Sequence, residues 1–180
     1  MPTSSNLRIQ IVGTSGSGKS TLANKLACEL RLDRLELDSI FHQANWTPLP
    51  DDQFRASVAA FATAGNWIID GNYSKVRDIL DNRITHLLWL DYPRWLVMLR
   101  VIRRTLRRGI TRQELWNGNR ENPRDWFSLN REQNIILWAF TTHKSNRQRY
   151  LTLFENLPNV VKIRIGSPVQ ASRLLKSLAN

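Results

Sequence analysis

The sequence predicts an α/β fold in which helices cover both faces of a parallel sheet. Short apolar runs, several rich in β-branched residues, alternate along the chain with longer amphipathic stretches. Strands that alternate with helices in this way pair in parallel, because each helix returns the chain across the sheet. Hydrophobic residues make up 42% of the 180 residues, enough for a packed core. We therefore expect one α/β domain spanning residues 1–180.

Each element has its own local signal. The apolar run at 7–12 ends at Gly13, which predicts the first buried strand. A helix follows over 20–32, with Leu22, Leu26 and Leu30 on one face. Residues 109–127 have weak periodicity and are predicted to be rich in loops. Further strands are predicted at 35–37, 67–70, 86–91 and 160–165, and further helices at 51–64, 94–108, 129–156 and 169–178.

Large apolar side chains on helix 94–108 recur at helical spacing, so we expect them to face the core. Trp89 and Trp138 also lie on apolar faces, and we expect both in the core. The stripe on helix 94–108 consists of Trp95, Met98, Leu99, Ile102 and Leu106.

The chain is strongly basic, and the excess charge is concentrated in one region. Lys and Arg total 26 against 15 Asp and Glu, a net charge of +11. Residues 94–149 hold 13 basic and 4 acidic residues, which is +9 of that total. Most of the basic residues are arginine, whose planar guanidinium suits phosphate oxygens. A solvated helix face explains any single arginine, but for the cluster we expect a phosphate-bearing partner, either a nucleotide or nucleic acid.

Other features point to the cytoplasm. The single cysteine, Cys28, excludes an internal disulfide and fits a reducing compartment. Apolar stretches such as 135–140 are far shorter than the roughly 20 residues that cross a bilayer. No basic leader precedes the first strand, so we expect no secretory signal and no membrane partner.

Residues 13–20 match the phosphate-binding pattern G-x-x-x-x-G-K-[ST] in full, between an apolar strand and an amphipathic helix. In such a loop, backbone N–H groups and the helix N-terminus surround phosphate oxygens. Lys19 would reach the β- and γ-phosphates, and the Ser20 hydroxyl would bind Mg²⁺. The alternative is a turn that only joins strand to helix. Expected nucleotide-binding residues are Gly13, Ser15, Gly16, Ser17, Gly18, Lys19, Ser20 and Thr21.

Two acidic residues follow predicted strands, at the edge where such sheets bind ligands. Asp38 comes after the run at 35–37, and Asp70 ends the run at 67–70. Either carboxylate could hold Mg²⁺ or orient an acceptor hydroxyl. The alternative for each is a turn or helix-capping role. Since the phosphate loop implies a nearby metal, we expect Ser20, Asp38 and Asp70 at a magnesium site.

Four segments together resemble the nucleoside monophosphate kinase group of P-loop proteins: 13–20, Asp-Gly-Asn-Tyr at 70–73, Leu-Asp-Tyr-Pro at 90–93 and Gly-Ser-Pro at 166–168. More closely, the chain resembles small bacterial proteins described as adenylate kinase-like or DNA topology modulation proteins. The resemblance implies a P-loop NTPase fold with a five-stranded parallel sheet, and Mg²⁺ and ATP as cofactors. It also implies an acceptor-side insert at about 39–66 and a mobile lid at about 109–127.

The resemblance extends to individual positions. Arg100 and Arg104 match two arginines, one stacking on the ATP base and one reaching phosphate. Gly166, Ser167 and Pro168 look like the loop that borders the adenine. A lid that closes on ATP would bring arginines onto the γ-phosphate and exclude water. The residues expected to act in catalysis are Lys19, Asp38, Arg104, Arg112, Arg120 and Arg131.

The chain departs from adenylate kinases on the acceptor side. Those enzymes carry Asp-Gly-Phe-Pro-Arg where residues 70–74 read Asp-Gly-Asn-Tyr-Ser, and Asp38 stands near the place of another acceptor-side arginine. This favours a hydroxyl acceptor over AMP. We therefore expect a Mg·ATP-dependent small-molecule kinase. A nucleic-acid-associated ATPase and a regulatory ATP-binding protein are the alternatives, with nucleic acid the less favoured partner.

Overall fold

The computed structural model describes residues 6–128, 130 and 134–179. Its centre is a five-stranded sheet in which every pairing is parallel, in the order β2-β3-β1-β4-β5. The predicted α/β fold with a five-stranded parallel sheet is confirmed. The strands are β1 (Arg8–Gly13), β2 (Arg34–Glu36), β3 (Trp67–Asp70), β4 (His86–Leu90) and β5 (Val161–Ile165).

Helices connect the strands, and two short ones, α2 and α4, were not predicted. The helix that begins at Arg94 runs to Thr111, three residues past its predicted end, and stops where Arg112 adopts a left-handed conformation with φ 47°. The helices are α1 (Lys19–Leu30), α2 (Leu37–Phe41), α3 (Asp51–Phe61), α4 (Arg77–Asp81), α5 (Arg94–Thr111), α6 (Ile135–Glu155) and α7 (Pro168–Ala179).

The sheet separates two apolar cores. On one face, β4 contributes Leu87 and Trp89, which pack with residues from α3, α4 and α6. On the other face, Leu88 and Leu90 of the same strand pack with α1, α5 and α7. Since side chains alternate along a strand, a fully buried strand serves both cores. Helices therefore cover both faces of the sheet, as predicted.

The predicted orientation of α5 is wrong for four of the five residues in its stripe, since only Met98 packs partly against a core. Trp95 is 69% exposed and Leu99 59%, while Val97 and Val101 are fully buried. The buried face carries smaller side chains because it packs directly on the loop between β1 and α1: a Cβ on Gly16 would lie 2.3 Å from Val101 Cγ2. Trp89 is buried as predicted, but Trp138 on α6 is 42% exposed.

The strand order brings the ends of three strands together. Ile11 of β1 lies beside Asp70 of β3, and Glu36 of β2 lies on the other side of Asp70. Because the strands are parallel, the loops that follow them emerge at the same edge of the sheet. The phosphate-binding pattern and two carboxylates therefore meet at this edge.

Within the described part of the chain, no helix combines the length and apolar character that a bilayer crossing requires.

Because Trp89 is buried and Trp138 is partly exposed, replacing them should affect stability differently. Trp89 packs against the rings of Tyr150 and Phe154, so Trp89→Ala should leave a cavity and cost about 3–5 kcal/mol of unfolding free energy. Trp138→Ala, at an exposed position, should cost about 1 kcal/mol or less. Urea denaturation gives the unfolding free energy of both variants. Equal losses would contradict the burial of Trp89 in the core and the exposure of Trp138.

Candidate active site

The loop between β1 and α1 is shaped by glycines and braced by α5. Gly16 has φ +80° and Gly18 φ +94°, a left-handed conformation that side-chain-bearing residues rarely adopt. At Gly16 even a methyl group would collide with Val101. The glycine therefore permits both the turn and the close approach of α5, so the loop is held in place by a packed helix.

Lys19, the first residue of α1, lies over this loop. Its Nζ donates to the carbonyl oxygens of Gly13, at 2.9 Å, and Thr14, at 3.2 Å. Burial lowers the pKa of Lys19, and the negative charges of Asp38 and Asp70 oppose that shift. The ammonium group is thus positioned between the loop and the carboxylates at the sheet edge.

Ser20 joins the two carboxylates at the ends of β2 and β3. Its hydroxyl lies 2.6 Å from Glu36 Oε1 and 2.8 Å from Asp70 Oδ2. Burial raises the pKa of Asp70, which is only 2% exposed. Arg34 balances this charge, with its Nη2 2.8 Å from Asp70 Oδ1 and 3.1 Å from Glu36 Oε2.

This donor set fits magnesium. Mg²⁺ is commonly bound through a few protein oxygens, with water and substrate phosphates completing its octahedron. Ser20, Glu36 and Asp70 provide one hydroxyl and two carboxylates within hydrogen-bond distance of each other. The described residues contain no group of three or more His, Cys, Asp or Glu side chains suited to holding a metal alone. A nucleotide would have to supply the remaining ligands.

Asp38 lies on α2 and is oriented by a tyrosine. The Tyr73 hydroxyl donates to Asp38 Oδ1 at 2.7 Å, and His42 Nε2 lies 3.4 Å from the same hydroxyl. Burial and the negative charge of Asp38 raise the pKa of Tyr73, so this phenol stays protonated and acts as a donor. Burial lowers the pKa of His42, which favours the neutral imidazole. One oxygen of Asp38 is held in this way.

Helix α5 presents arginines to the loop. Arg100 Nη1 donates to the Ser17 carbonyl at 3.0 Å, and Arg104 Nη2 to the Ser15 hydroxyl at 3.3 Å. Arg108, one turn further along, pairs with Glu121 at 2.8 Å. Burial lowers the pKa of Arg104, with the charge of Arg108 adding to the effect, but an arginine stays protonated in proteins. The helix thus directs a row of positive charge toward the loop.

The phosphate loop, Asp38 and the arginines of α5 border one cavity of about 800 Å³. It extends from α7, past the loop, to Asp38 and the segment 114–116. Of the residues predicted for the site, those that line it are Ser15, Gly16, Ser17, Gly18, Lys19, Ser20, Thr21, Asp38, Arg100, Arg104 and Pro168.

The other predicted residues lie elsewhere. Gly13 and Asp70 contact lining residues, whereas Gly166 N–H bonds to Gln170 and the Ser167 hydroxyl accepts from the N–H of Gln170 at the start of α7. Arg112 and Arg120 do not line the cavity, and Arg120 pairs with Glu114 at 3.6 Å. Arg131 lies outside the described residues. The roles of these arginines in catalysis stay predictions.

Two segments meet beside the cavity, the one predicted as the acceptor-side insert and the one predicted as the lid. Asn119 accepts from the N–H of Trp46 at 2.8 Å and donates to the Gln43 carbonyl at 2.9 Å. Asn117 donates to the His42 carbonyl at 2.6 Å. The rings of Trp46 and Trp116 pack edge to face, with centroids 6.4 Å apart. In this conformation the two segments are joined by amide hydrogen bonds and aromatic contact.

Sequence reasoning missed several of these residues. Glu36, two positions before Asp38, ends β2, but the strand was predicted one residue too far along the chain. Arg34 belongs to no motif, and Tyr73, although it ends the Asp-Gly-Asn-Tyr segment, was not assigned a role in the site. Arg108 could have been found, because it continues the four-residue spacing of Arg100 and Arg104 along one helix face.

The parallel sheet, the loop and the surrounding helices together form a P-loop kinase fold. No protein-family model matches the chain, and no curated protein sequence matches it. Among solved structures, a shikimate kinase from Acinetobacter baumannii in complex with shikimate has a TM-score of 0.56 and 16% identity, with 97% of this chain and 92% of that chain covered.

Two further structures show the same fold similarity. A shikimate kinase from Bacteroides thetaiotaomicron has a TM-score of 0.55 and 14% identity, with coverage of 96% of this chain and 95% of that chain. A gluconokinase from Sinorhizobium meliloti 1021 has a TM-score of 0.50 and 16% identity, covering 97% and 96%. The fold is therefore shared with small-molecule kinases.

Because Arg34 pairs with a buried carboxylate, its replacement should strongly lower the stability of the fold. Arg34→Gln leaves the buried Asp70 carboxylate without its cation and should cost about 3 kcal/mol of unfolding free energy. Arg55→Gln is the matched control, because Arg55 and Asp78 are 41% and 63% exposed and such pairs contribute little. Adding Asp70→Asn to Arg34→Gln should recover part of the loss. Equal effects of the two single substitutions in urea denaturation would contradict this account.

Proposed function

We propose that this protein is a Mg·ATP-dependent phosphotransferase that moves the γ-phosphoryl group of ATP to a hydroxyl group of a small acceptor. One observation carries the proposal: Asp38, with one oxygen held by Tyr73, lines the same cavity as the phosphate loop. A carboxylate so placed can orient an attacking hydroxyl and accept its proton. The fold shared with shikimate kinases and a gluconokinase supports this reaction class.

The nucleotide would lie in the part of the cavity that extends from α7 to Lys19. Tyr92, Arg100 and Pro168 line the cavity at the end where the base would sit. The loop N–H groups, Lys19 and Arg104 would hold the phosphates. Ser20, with Glu36 and Asp70 behind it, would hold Mg²⁺, which would supply positive charge to offset that of the phosphates.

In the transfer step, the acceptor oxygen forms a bond to the γ-phosphorus as the bond from that phosphorus to the β–γ bridging oxygen breaks. The hydroxyl proton passes to the carboxylate of Asp38, and ADP leaves. Arg104 and Arg108 line the cavity and would place positive charge beside the transferring group, which carries negative charge. Closure of the proposed lid, 109–127, over the proposed insert, 39–66, would exclude water and so favour transfer over hydrolysis.

The charges around Asp38 favour a hydroxyl acceptor over a phosphate acceptor. Glu36 and Glu114 line the cavity but are ion-paired with arginines. Asp38 also lines it and makes no ion pair among the described residues, so its carboxylate would repel a phosphate that approached without its own cation. Trp116 and Leu115 add an apolar surface of the kind that polyhydroxylated rings contact. We propose a small polyol, sugar acid or nucleoside hydroxyl as the acceptor.

On the resemblance to adenylate kinase-like and DNA topology modulation proteins, we propose that this chain belongs to that group. We also propose that it is cytoplasmic. The resemblance also keeps a nucleic-acid-associated ATPase as the second candidate, which the basic region 94–149 favours. ATP turnover that requires DNA and yields only free phosphate would support that second candidate.

The first experiment is transfer from γ-labelled ATP. With Mg²⁺ and a panel of gluconate, shikimate, simple polyols, nucleosides and AMP, we expect label on a hydroxyl acceptor and none on AMP. Lys19→Ala should abolish the product and weaken ATP binding by about 10–100-fold, the loss expected for a charge-assisted contact. Lys144→Ala, an exposed lysine on α6, is the control. Labelled ADP formed from AMP would refute the hydroxyl acceptor.

Substitution of Asp38 should lower the rate of phosphoryl transfer while leaving nucleotide binding nearly intact. Asp38→Asn removes the proton acceptor and should lower kcat by about 10²–10⁴-fold, with ATP affinity changed only a few-fold. Asp52→Asn, an exposed position in the first turn of α3, should leave both quantities unchanged. Single-turnover transfer and equilibrium ATP binding give the two readouts, and an unchanged transfer rate in Asp38→Asn would remove Asp38 from the mechanism.

A further inference from the structure

Helix α2, which carries Asp38, is too short to be stable by its own hydrogen bonds. It has five residues, whereas isolated helices of up to about 12–15 residues are only marginally stable in water. Leu37 is fully buried, and Phe41, one turn further on, packs partly against the same core. Packing thus holds one side of the helix. The order of its last turn depends on the donors that its C-terminal carbonyl groups find.

One of these donors comes from a distant part of the chain. The carbonyl groups of Ser39 and His42 both accept from Nδ2 of Asn117, at 3.1 Å and 2.6 Å. Asn117 belongs to the segment 109–127, the proposed lid. The neighbouring carbonyl groups accept from residues that directly follow α2: the N–H of His42, the side-chain amide of Gln43 and the N–H of Leu49. The end of α2 is therefore capped partly from the proposed lid.

The loop that carries Asn117 is docked beside α2 by a buried amide. In this loop, residues 114–120, Asn119 is only 3% exposed. Its Oδ1 accepts from the N–H of Trp46 at 2.8 Å, and its Nδ2 donates to the Gln43 carbonyl at 2.9 Å. Asn117 itself is exposed, so water competes for its hydrogen bonds. The Asn119 anchor offsets this competition, because it keeps the Asn117 amide next to the carbonyl groups of α2.

The same loop also contacts the side chains that surround Asp38. The rings of Trp116 and His42 are stacked, with centroids 6.0 Å apart and 20° between their planes. His42 Nε2 lies 3.4 Å from the Tyr73 hydroxyl, which donates to Asp38 Oδ1. The 114–120 loop therefore reaches Asp38 by two routes, one through the backbone of α2 and one through His42 and Tyr73.

We propose that Asn117 is a positioning residue for Asp38, which it holds in place by capping α2 from the proposed lid. The inference rests on the proposed function, in which Asp38 accepts the proton of the attacking hydroxyl. Docking of the 114–120 loop would then order the proton acceptor in the same movement that excludes water. An open site, which admits water, would lack an ordered proton acceptor.

The chain offers a matched control for Asn117. Asn117 and Asn45 both have left-handed backbone angles, with φ 55° and ψ 37° at the first and φ 58° and ψ 33° at the second. Glycine adopts these angles without strain, so a change to glycine removes the amide side chain with the same backbone effect at both positions. Asn45 is exposed, and its side chain makes no hydrogen bond within the described part of the chain.

Hydrogen exchange in the protein without ligands tests the cap independently of any reaction. We expect Asn117→Gly to speed exchange of the His42 N–H, which donates to the Asp38 carbonyl in the last turn of α2, by about 5-fold or more. Asn45→Gly should leave this exchange unchanged. Equal exchange in Asn117→Gly and the unsubstituted protein would overturn the proposal, whatever the protein catalyses.

Single-turnover transfer from γ-labelled ATP tests the positioning, with whichever acceptor of the panel above takes the label. Asn117→Gly should lower the transfer rate by about 10–100-fold, the effect of a misplaced catalytic group, and change ATP affinity less than 2-fold. Asn45→Gly should change neither quantity. An equal transfer rate in the two variants would overturn the proposal.

A double substitution shows whether Asn117 acts through Asp38. In Asp38→Asn protein no proton acceptor remains to be positioned, so adding Asn117→Gly should lower the residual transfer rate less than 2-fold. A loss as large as in the unsubstituted protein would mean that Asn117 acts apart from Asp38, and would refute the positioning role. If no acceptor takes the label, the proposed function fails, and hydrogen exchange alone then decides whether Asn117 orders α2.

Discussion

The carbonyl group of Gly13 is the point on which the arrangement of the site depends. Lys19 Nζ approaches its oxygen at 2.9 Å, Asn72 Nδ2 at 2.5 Å and the Tyr150 hydroxyl at 3.3 Å. Asn72 also accepts from the Gly13 N–H, so one amide side chain satisfies both polar groups of this residue. These contacts join α1, the segment after β3 and α6 to the end of β1.

Around this junction, positive and negative charges are held at some cost in solvation. Asp70 is almost fully buried, and burial alone would favour its protonated form. Arg34 keeps the carboxylate paired, and Ser20 adds a hydrogen bond. A carboxylate paired in this way can bind a metal, whereas replacement by an apolar residue would remove the solvation cost together with the binding group. The charged residues at this edge of the sheet are therefore better explained by ligand binding than by a contribution to the stability of the fold.

The parts of the fold predicted from the sequence are those with local signals. The phosphate-binding pattern specifies its own conformation, because Gly16 and Gly18 allow backbone angles that other residues disfavour. The periodicity of α5 predicted one apolar stripe but did not reveal that the face with Val97 and Val101 is the buried one. That depends on how closely the helix approaches Gly16, a contact between residues 85 positions apart. Arg34, Glu36 and Tyr73 likewise gain their roles from strand order, which brings together positions distant in sequence.

The distribution of arginine along α5 follows from the two environments of this helix. Arg100, Arg104 and Arg108 lie one turn apart and line the cavity, where like charges stacked at this spacing repel each other. Glu121 offsets the charge of Arg108 through an ion pair. Arg104 donates to the Ser15 hydroxyl and forms no ion pair with a carboxylate among the described residues. Under the proposed function, a triphosphate would supply the missing negative charge. The same row of arginines that weakens the helix by itself would then strengthen it in the complex, so nucleotide binding and the stability of α5 would be thermodynamically linked.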